Sequence, residues 1–86
     1  MAARTVTVGS SSGLHARPAS LVAAAAAEAA EPVLIARVGE EGVDASSILM
    51  LMSLGIGAGE EVELTSDDEA GLDKVAELVA ADLDAS

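Results

Sequence analysis

The 86-residue chain contains no cysteine and no aromatic residue. It has one histidine, two prolines and four basic side chains. Without cysteine there are no disulfides and no thiolate metal sites, which fits a reducing cytosol. A lone histidine cannot build a histidine-rich metal site, so only acidic oxygen ligands remain for a cation. The core must be filled by Val, Leu, Ile, Met and Ala. Long apolar runs are also missing: the longest, 21–27, is far too short to span a bilayer. Nothing apolar follows the charge in Met1-Ala2-Ala3-Arg4-Thr5, so no signal peptide is expected. With 15 acids against four bases, the net charge is −11. Such a surface repels nucleic-acid phosphates and anionic membranes, so neither partner is expected. It also singles out the few cations as places where a small anion can bind. The length predicts one domain, 1–86, burying roughly 60–65% of its unfolded surface.

What is present divides into alternating elements. Thr5-Val6-Thr7-Val8 has the period of a strand. A Ser/Gly loop at 9–13 follows, and then an alanine-rich helix over 16–30, stopped by Pro32. Ala19, Val22, Ala23 and Ala26 make its apolar stripe. A second strand is predicted at 33–38, where both parities are apolar and the pattern leaves the inner face open. Gly39-Glu40-Glu41-Gly42 reads as a hairpin turn into a short strand, Val43-Asp44-Ala45. Ser46 is the expected N-cap of a short helix ending at Gly55. Glu61-Val62-Glu63-Leu64-Thr65 alternates cleanly as a fourth strand, and Ser66-Asp67-Asp68-Glu69 fits a capping box. The last helix carries Leu72, Val75, Ala76, Val79 and Leu83 on one face. Gly55-Ile56-Gly57-Ala58-Gly59 is no phosphate loop, because it follows a helix and lacks the lysine. The order βαββαβα predicts an α+β fold, with a four-stranded antiparallel sheet and three helices on one face.

The chemistry concentrates in Gly13-Leu14-His15-Ala16-Arg17-Pro18-Ala19-Ser20. Pro18 is tolerated in the first turn of a helix, which puts His15 at the cap and Ala16 and Arg17 as the first helical residues. The first backbone N–H groups of a helix have no intrahelical acceptor. Pro18 has none to offer, so the free donors are those of Ala16 and Arg17. With the helix dipole they form a small anion site, to which Arg17 adds a planar guanidinium. A neutral imidazole is a nucleophile. A phosphoryl group on His15 would meet charge-assisted hydrogen bonds contributing roughly 1.5–3 kcal/mol each, with about 0.3–1 kcal/mol from the dipole.

The second unusual stretch is Ile48-Leu49-Met50-Leu51-Met52, apolar on every side. A helix of about two turns cannot bury all of those side chains against one sheet. Part of it is expected to be an exposed patch for partner proteins, and methionine suits a surface that must fit several of them.

These two stretches resemble the histidine-containing phosphocarrier protein (HPr) family of the bacterial sugar phosphotransferase system. Gly-Leu-His-Ala-Arg-Pro-Ala resembles its phosphorylation site. Ser47-Ile48 through Met52-Ser53-Leu54-Gly55-Ile56 lies where the family has a regulatory serine and its second helix. The resemblance runs from about Arg4 to about Leu83, with one extra residue near Gly39-Glu40-Glu41-Gly42. It implies that this fold is an open-faced β-sandwich and the protein a carrier rather than an enzyme, needing no cofactor. It implies that His15 is phosphorylated, at Nδ1, by enzyme I, with Arg17 as charge partner. The group then passes to IIA components of sugar permeases. It implies Ile48, Leu49 and Met52 as docking residues, and Ser47 as a site for a dedicated HPr kinase/phosphorylase in carbon catabolite regulation; the competing reading of Ser47 is a plain capping residue. A cytoplasmic monomer is expected. Three readings compete with sugar transport. One is a regulatory module of the same fold, acting through a partner such as a transcriptional regulator and signalling carbon or nitrogen status. Another is an acyl-carrier-like protein, which needs an all-helical bundle and an Asp-Ser-Leu setting that Asp44-Ala45-Ser46-Ser47 does not provide. The last is a purely structural interaction domain.

Overall fold

Alternation along the strands and helical stripes between them build the architecture directly. The computed structural model describes residues 1–11 and 13–81. Strand β1 spans Ala2–Thr7, helix α1 Ala16–Glu28, β2 Leu34–Arg37 and β3 Val43–Asp44. Helix α2 spans Ile48–Ser53, β4 Glu61–Ser66 and α3 Glu69–Ala80. The sheet order is β1-β4-β2-β3, and every pairing is antiparallel. Val62 lies opposite both Val6 and Arg37, and Leu64 opposite both Arg4 and Ile35. This register puts Val62, Leu64 and Ile35 on the helix-facing side, all fully buried. Thr5, Thr7, Glu61 and Glu63 face the other way, exposed. The acyl-carrier alternative fails here, because an all-helical bundle has no such sheet.

The three helices cover one face of the sheet. The stripe expected on α1, Ala19, Val22, Ala23 and Ala26, is buried. Small residues let α1 approach α3, which contributes Leu72, Val75 and Val79 to the same core. Each fully buried Val, Leu or Ile side chain contributes roughly 1.5–3 kcal/mol. Ala76 is half-buried, and Leu83 lies outside the described residues.

The structure settles the inner face of β2: Val33 and Ile35 point to the core, while Val38 is 56% exposed. Their parity also carries Arg37. Several boundaries shift. β1 begins at Ala2, ahead of the alternating stretch, because β4 is long enough to pair with it as far as Ser66. α1 ends at Glu28, before Pro32 could stop it.

Two caps differ from expectation. Ser47, not Ser46, caps α2, its hydroxyl accepting the Met50 N–H at 3.3 Å. Ser46 is instead drawn back to Asp44, whose carboxylate accepts both its N–H and its hydroxyl. Those two bonds hold the Asp44 carboxyl below its usual range. Similarly, Ser66 does not begin a capping box. It ends β4, and its hydroxyl accepts the Asp68 N–H. Asp68 caps α3, accepting the Gly71 N–H at 3.2 Å and the Ala30 N–H at 2.8 Å. The carboxylate wins because it also ties the segment after α1 to the start of α3. The Ala30 and Gly71 amides lower its pKa.

Candidate functional site

His15 is the N-cap of α1, with extended backbone (φ −78°, ψ −173°), and its side chain makes no capping hydrogen bond. The imidazole is exposed. The Ala19 N–H donates to the His15 carbonyl at 2.8 Å, which closes the first turn. Ala16 and Arg17 therefore occupy the first two helical positions, ahead of the intrahelical ladder, as expected. No acid lies in this first turn.

The loop before His15 is held by backbone contacts. The Gly13 N–H donates to the Ser10 carbonyl, and the Leu14 N–H to the Ile56 carbonyl at 3.1 Å. Gly13 has φ +77°, and a Cβ there would lie 2.5 Å from the Ile56 oxygen. Only glycine satisfies both conditions. Leu14 is 4% exposed and anchors the loop in the core. His15 is thus carried on a rigid corner with its ring outside.

Beside the ring lies a shallow depression of about 150 Å³, lined by Leu14, His15, Met52, Gly55, Ile56 and Gly57. Larger hollows near the end of α1 are lined by the acids Glu31 and Asp44, or by Glu28 and Asp68 with Lys74, whose charge is met by Glu28. They suit an anion less well than the histidine corner.

The cations sort themselves. Arg4 pairs with Asp73 and Glu69, Arg37 with Glu60, and Lys74 with Glu28. Arg17 is exposed and makes no ion pair or hydrogen bond among the described residues. In a chain of net charge −11, the one guanidinium uncommitted among the described residues sits two positions from the only imidazole.

Helix α2 resolves its apolar excess by facing outward. Leu51 is fully buried, whereas Ile48 is 42%, Leu49 80% and Met52 45% exposed. Met52 shares the depression with His15, so the apolar patch begins at the rim of the histidine site. Ile48 and Met52 are one helical turn apart and share a face. Ser47 is half-buried at the cap of this helix. Sequence reasoning missed Met50 and Leu21, also exposed apolar residues. The available signal for Leu21 was its place off the buried stripe of α1. Arg37 was missed as well. No signal in the strand marked it, because both parities of 33–38 are apolar; in the fold it meets Glu60 and the carbonyls of Leu54 and Gly55.

Fold and site together define a class: an open-faced α+β sandwich that presents a single imidazole at an uncapped helix start, beside an apolar patch. Residues 2–81 match the family model of the PTS HPr component phosphorylation site. The chain belongs to this family and is a phosphocarrier protein of the phosphotransferase type, not a catalytic enzyme. It is 46% identical over 87 aligned residues to the phosphocarrier protein HPr of Streptomyces coelicolor, covering 98% of this chain and 94% of that one. It is 37% identical to the phosphocarrier protein NPr of Shewanella violacea, over 94% of this chain and 91% of the relative. The crystal structure of an HPr from Bacillus anthracis superposes with a TM-score of 0.83 at 34% identity, covering 91% of this chain and 95% of that one.

Proposed function

We propose that His15 is the phosphoryl acceptor, that Arg17 and the Ala16 and Arg17 amides hold the transferred group, and that enzyme I and the IIA components of sugar permeases are donor and acceptors. The observation that carries this reading is the exposed imidazole at an uncapped helix start beside the only unpaired cation among the described residues. The lone pair of the ring nitrogen Nδ1 attacks phosphorus. The N–P bond forms as the bond to the donor breaks, and that electron pair stays on the donor. The same step in reverse direction, with an acceptor nitrogen as nucleophile, regenerates the imidazole. Water is not a reactant, so the carrier gains no net hydrolytic chemistry. Arg17 and the two amides stabilise the phosphoryl oxygens while leaving the bond exposed for onward transfer.

Both partners dock on the same surface, because both must reach His15. Ile48, Leu49 and Met52 supply its apolar part, and a transient contact of this kind can be small. Phosphorylation of Ser47 is part of the same reading. The added negative charge would sit at the start of α2, beside the patch, and disfavour acidic partners. All of this takes place in the cytoplasm, where phosphoenolpyruvate and the permease components meet.

The test is His15→Ala, assayed for label from phosphoenolpyruvate through enzyme I. No incorporation is expected, and retained labelling would move the site elsewhere. A second reading is a regulator whose phosphorylation signals nitrogen or carbon status, and the similarity to an NPr favours keeping it. Passing label onward to a sugar-specific IIA supports transport, whereas a labelled protein that passes nothing on supports the regulator.

A further inference from the structure

The wall of the depression opposite His15 is the segment after α2, and two side chains outside the site hold it. The Arg37 guanidinium, from the end of β2, donates Nη1 to the Leu54 carbonyl and Nη2 to the Gly55 carbonyl, the latter at 3.0 Å. Its Nε also donates to Glu60 Oε1 at 3.3 Å, and Nη2 to Glu60 Oε2 at 3.4 Å. Glu60 in turn accepts the Gly57 N–H. The carboxyl is held below its ordinary range, by the Gly57 amide first and Arg37 second. Segment 54–57 is therefore gripped at both ends, by a guanidinium on its carbonyls and a carboxylate on its last amide.

Between those two grips lies Ile56, whose carbonyl accepts the Leu14 N–H. Leu14 precedes His15, and Gly13 packs against the same Ile56 oxygen and Gly57 backbone. A wall that includes Gly55 and Gly57 has little stiffness of its own. We infer that Arg37 and Glu60 are positioning residues for phosphoryl transfer: they fix the wall, the wall fixes Leu14 through the Ile56 carbonyl, and Leu14 aims the imidazole. Neither side chain touches the phosphoryl group. Arg37 is neutralised by Glu60, so Arg17 alone supplies charge to the cargo. This inference rests on His15 being the acceptor.

Three variants test it: Arg37→Met, Glu60→Ala and Glu60→Gln. The glutamine retains a carbonyl acceptor for the Gly57 amide and for Arg37, whereas the alanine retains neither. For Arg37→Met and Glu60→Ala, Leu14 amide hydrogen exchange should accelerate about tenfold, since its protection reports local opening of the wall. Turnover of phosphoryl transfer from enzyme I should fall about tenfold, because misaimed reacting groups lose rate. The KM for the carrier should stay within about twofold, since the exposed α2 face is untouched. Glu60→Gln should restore both readouts to near the unmodified level. The double variant should be no slower than the worse single one, because the two side chains act as one clamp.

If both damaging variants transfer at the unmodified rate with Leu14 still protected, the pair is only a C-terminal cap of α2 and the inference is overturned. Glu60→Ala leaves the two carbonyl contacts of Arg37 in place, so it decides the matter alone if Arg37→Met fails to fold. Failure of the clamp is distinct from failure of the site. The first leaves label on His15 of the unmodified protein, and the second leaves none there.

Discussion

The starts of α1 and α3 solve the same problem in opposite ways. At α3, Asp68 bonds the amide three residues on, Gly71, and Glu69 adds an acid in the first turn. At α2, Ser47 likewise bonds the amide three residues on, Met50. At α1 the equivalent position is Pro18, which has no amide hydrogen. The donor that a side-chain cap would normally use has been removed. The cap residue is a histidine with no capping bond, no acid is present in the first turn, and the second helical residue is a cation. Two helices therefore complete their N-termini internally, and the third has no side-chain cap among the described residues. This difference is what the proposed function uses: the α1 start, with Arg17 unpaired among the described residues, is left for the transferred anion.

The largest effect that would sharpen this contrast is on transfer. Arg17→Ala should slow phosphoryl transfer about tenfold or more, on the basis of roughly 1.5 kcal/mol for one charge-assisted hydrogen bond. Its thermal unfolding should barely move, since an exposed, unpaired side chain contributes within about 0.5 kcal/mol. An unchanged transfer rate would remove Arg17 from the site.

Stability separates the helix starts next. Ser47→Ala deletes a working cap and should cost about 1 kcal/mol in denaturant unfolding. His15→Ala deletes no capping bond and should cost less than about 0.5 kcal/mol. Equal losses at the two positions would mean that the imidazole caps α1 after all.

The smallest effect is one of acidity. The Asp68 carboxyl is held below the ordinary aspartate value of 3.8, so its contribution to stability is present above that pH. As the pH falls through the lowered value, the carboxylate is protonated and the contribution disappears. The stability gap between the unmodified protein and Asp68→Asn should therefore be open at pH 7 and close progressively below about pH 4. A gap at Asp68 that stayed constant down to pH 2 would contradict the assignment of its cap.

Much of this contrast was legible in the chain before folding. Pro18 placed His15 at a helix cap, and the same proline identified Ala16 and Arg17 as the free donors. The apolar stripes of α1 and α3 followed from a 3.6-residue period, and the alternation in β4 marked its inner face. Caps were less legible. Ser46 and Ser47 are equally good candidates by residue type, as are Ser66 and Asp68. The choice went to the side chain that could also satisfy a second element, as when Asp68 reached the Ala30 amide across the space between α1 and α3. The face of β2 was undecided because both parities were apolar, and only its pairing with β4 put Ile35 inward.

Local spacing and composition set the order of elements, the helix start that carries His15, and the scarcity of cations that makes Arg17 stand apart. Those depend on local spacing, backbone sterics and charge count, all properties of neighbours in the chain. Only the fold could spend Arg4, Arg37 and Lys74 on acids and leave Arg17 unpaired among the described residues, turn Leu51 inward and Ile48, Leu49 and Met52 outward, and bring Ile56 to Leu14. Each joins or separates residues distant in sequence, so each waits on how the sheet brings β2, α2 and the histidine loop together.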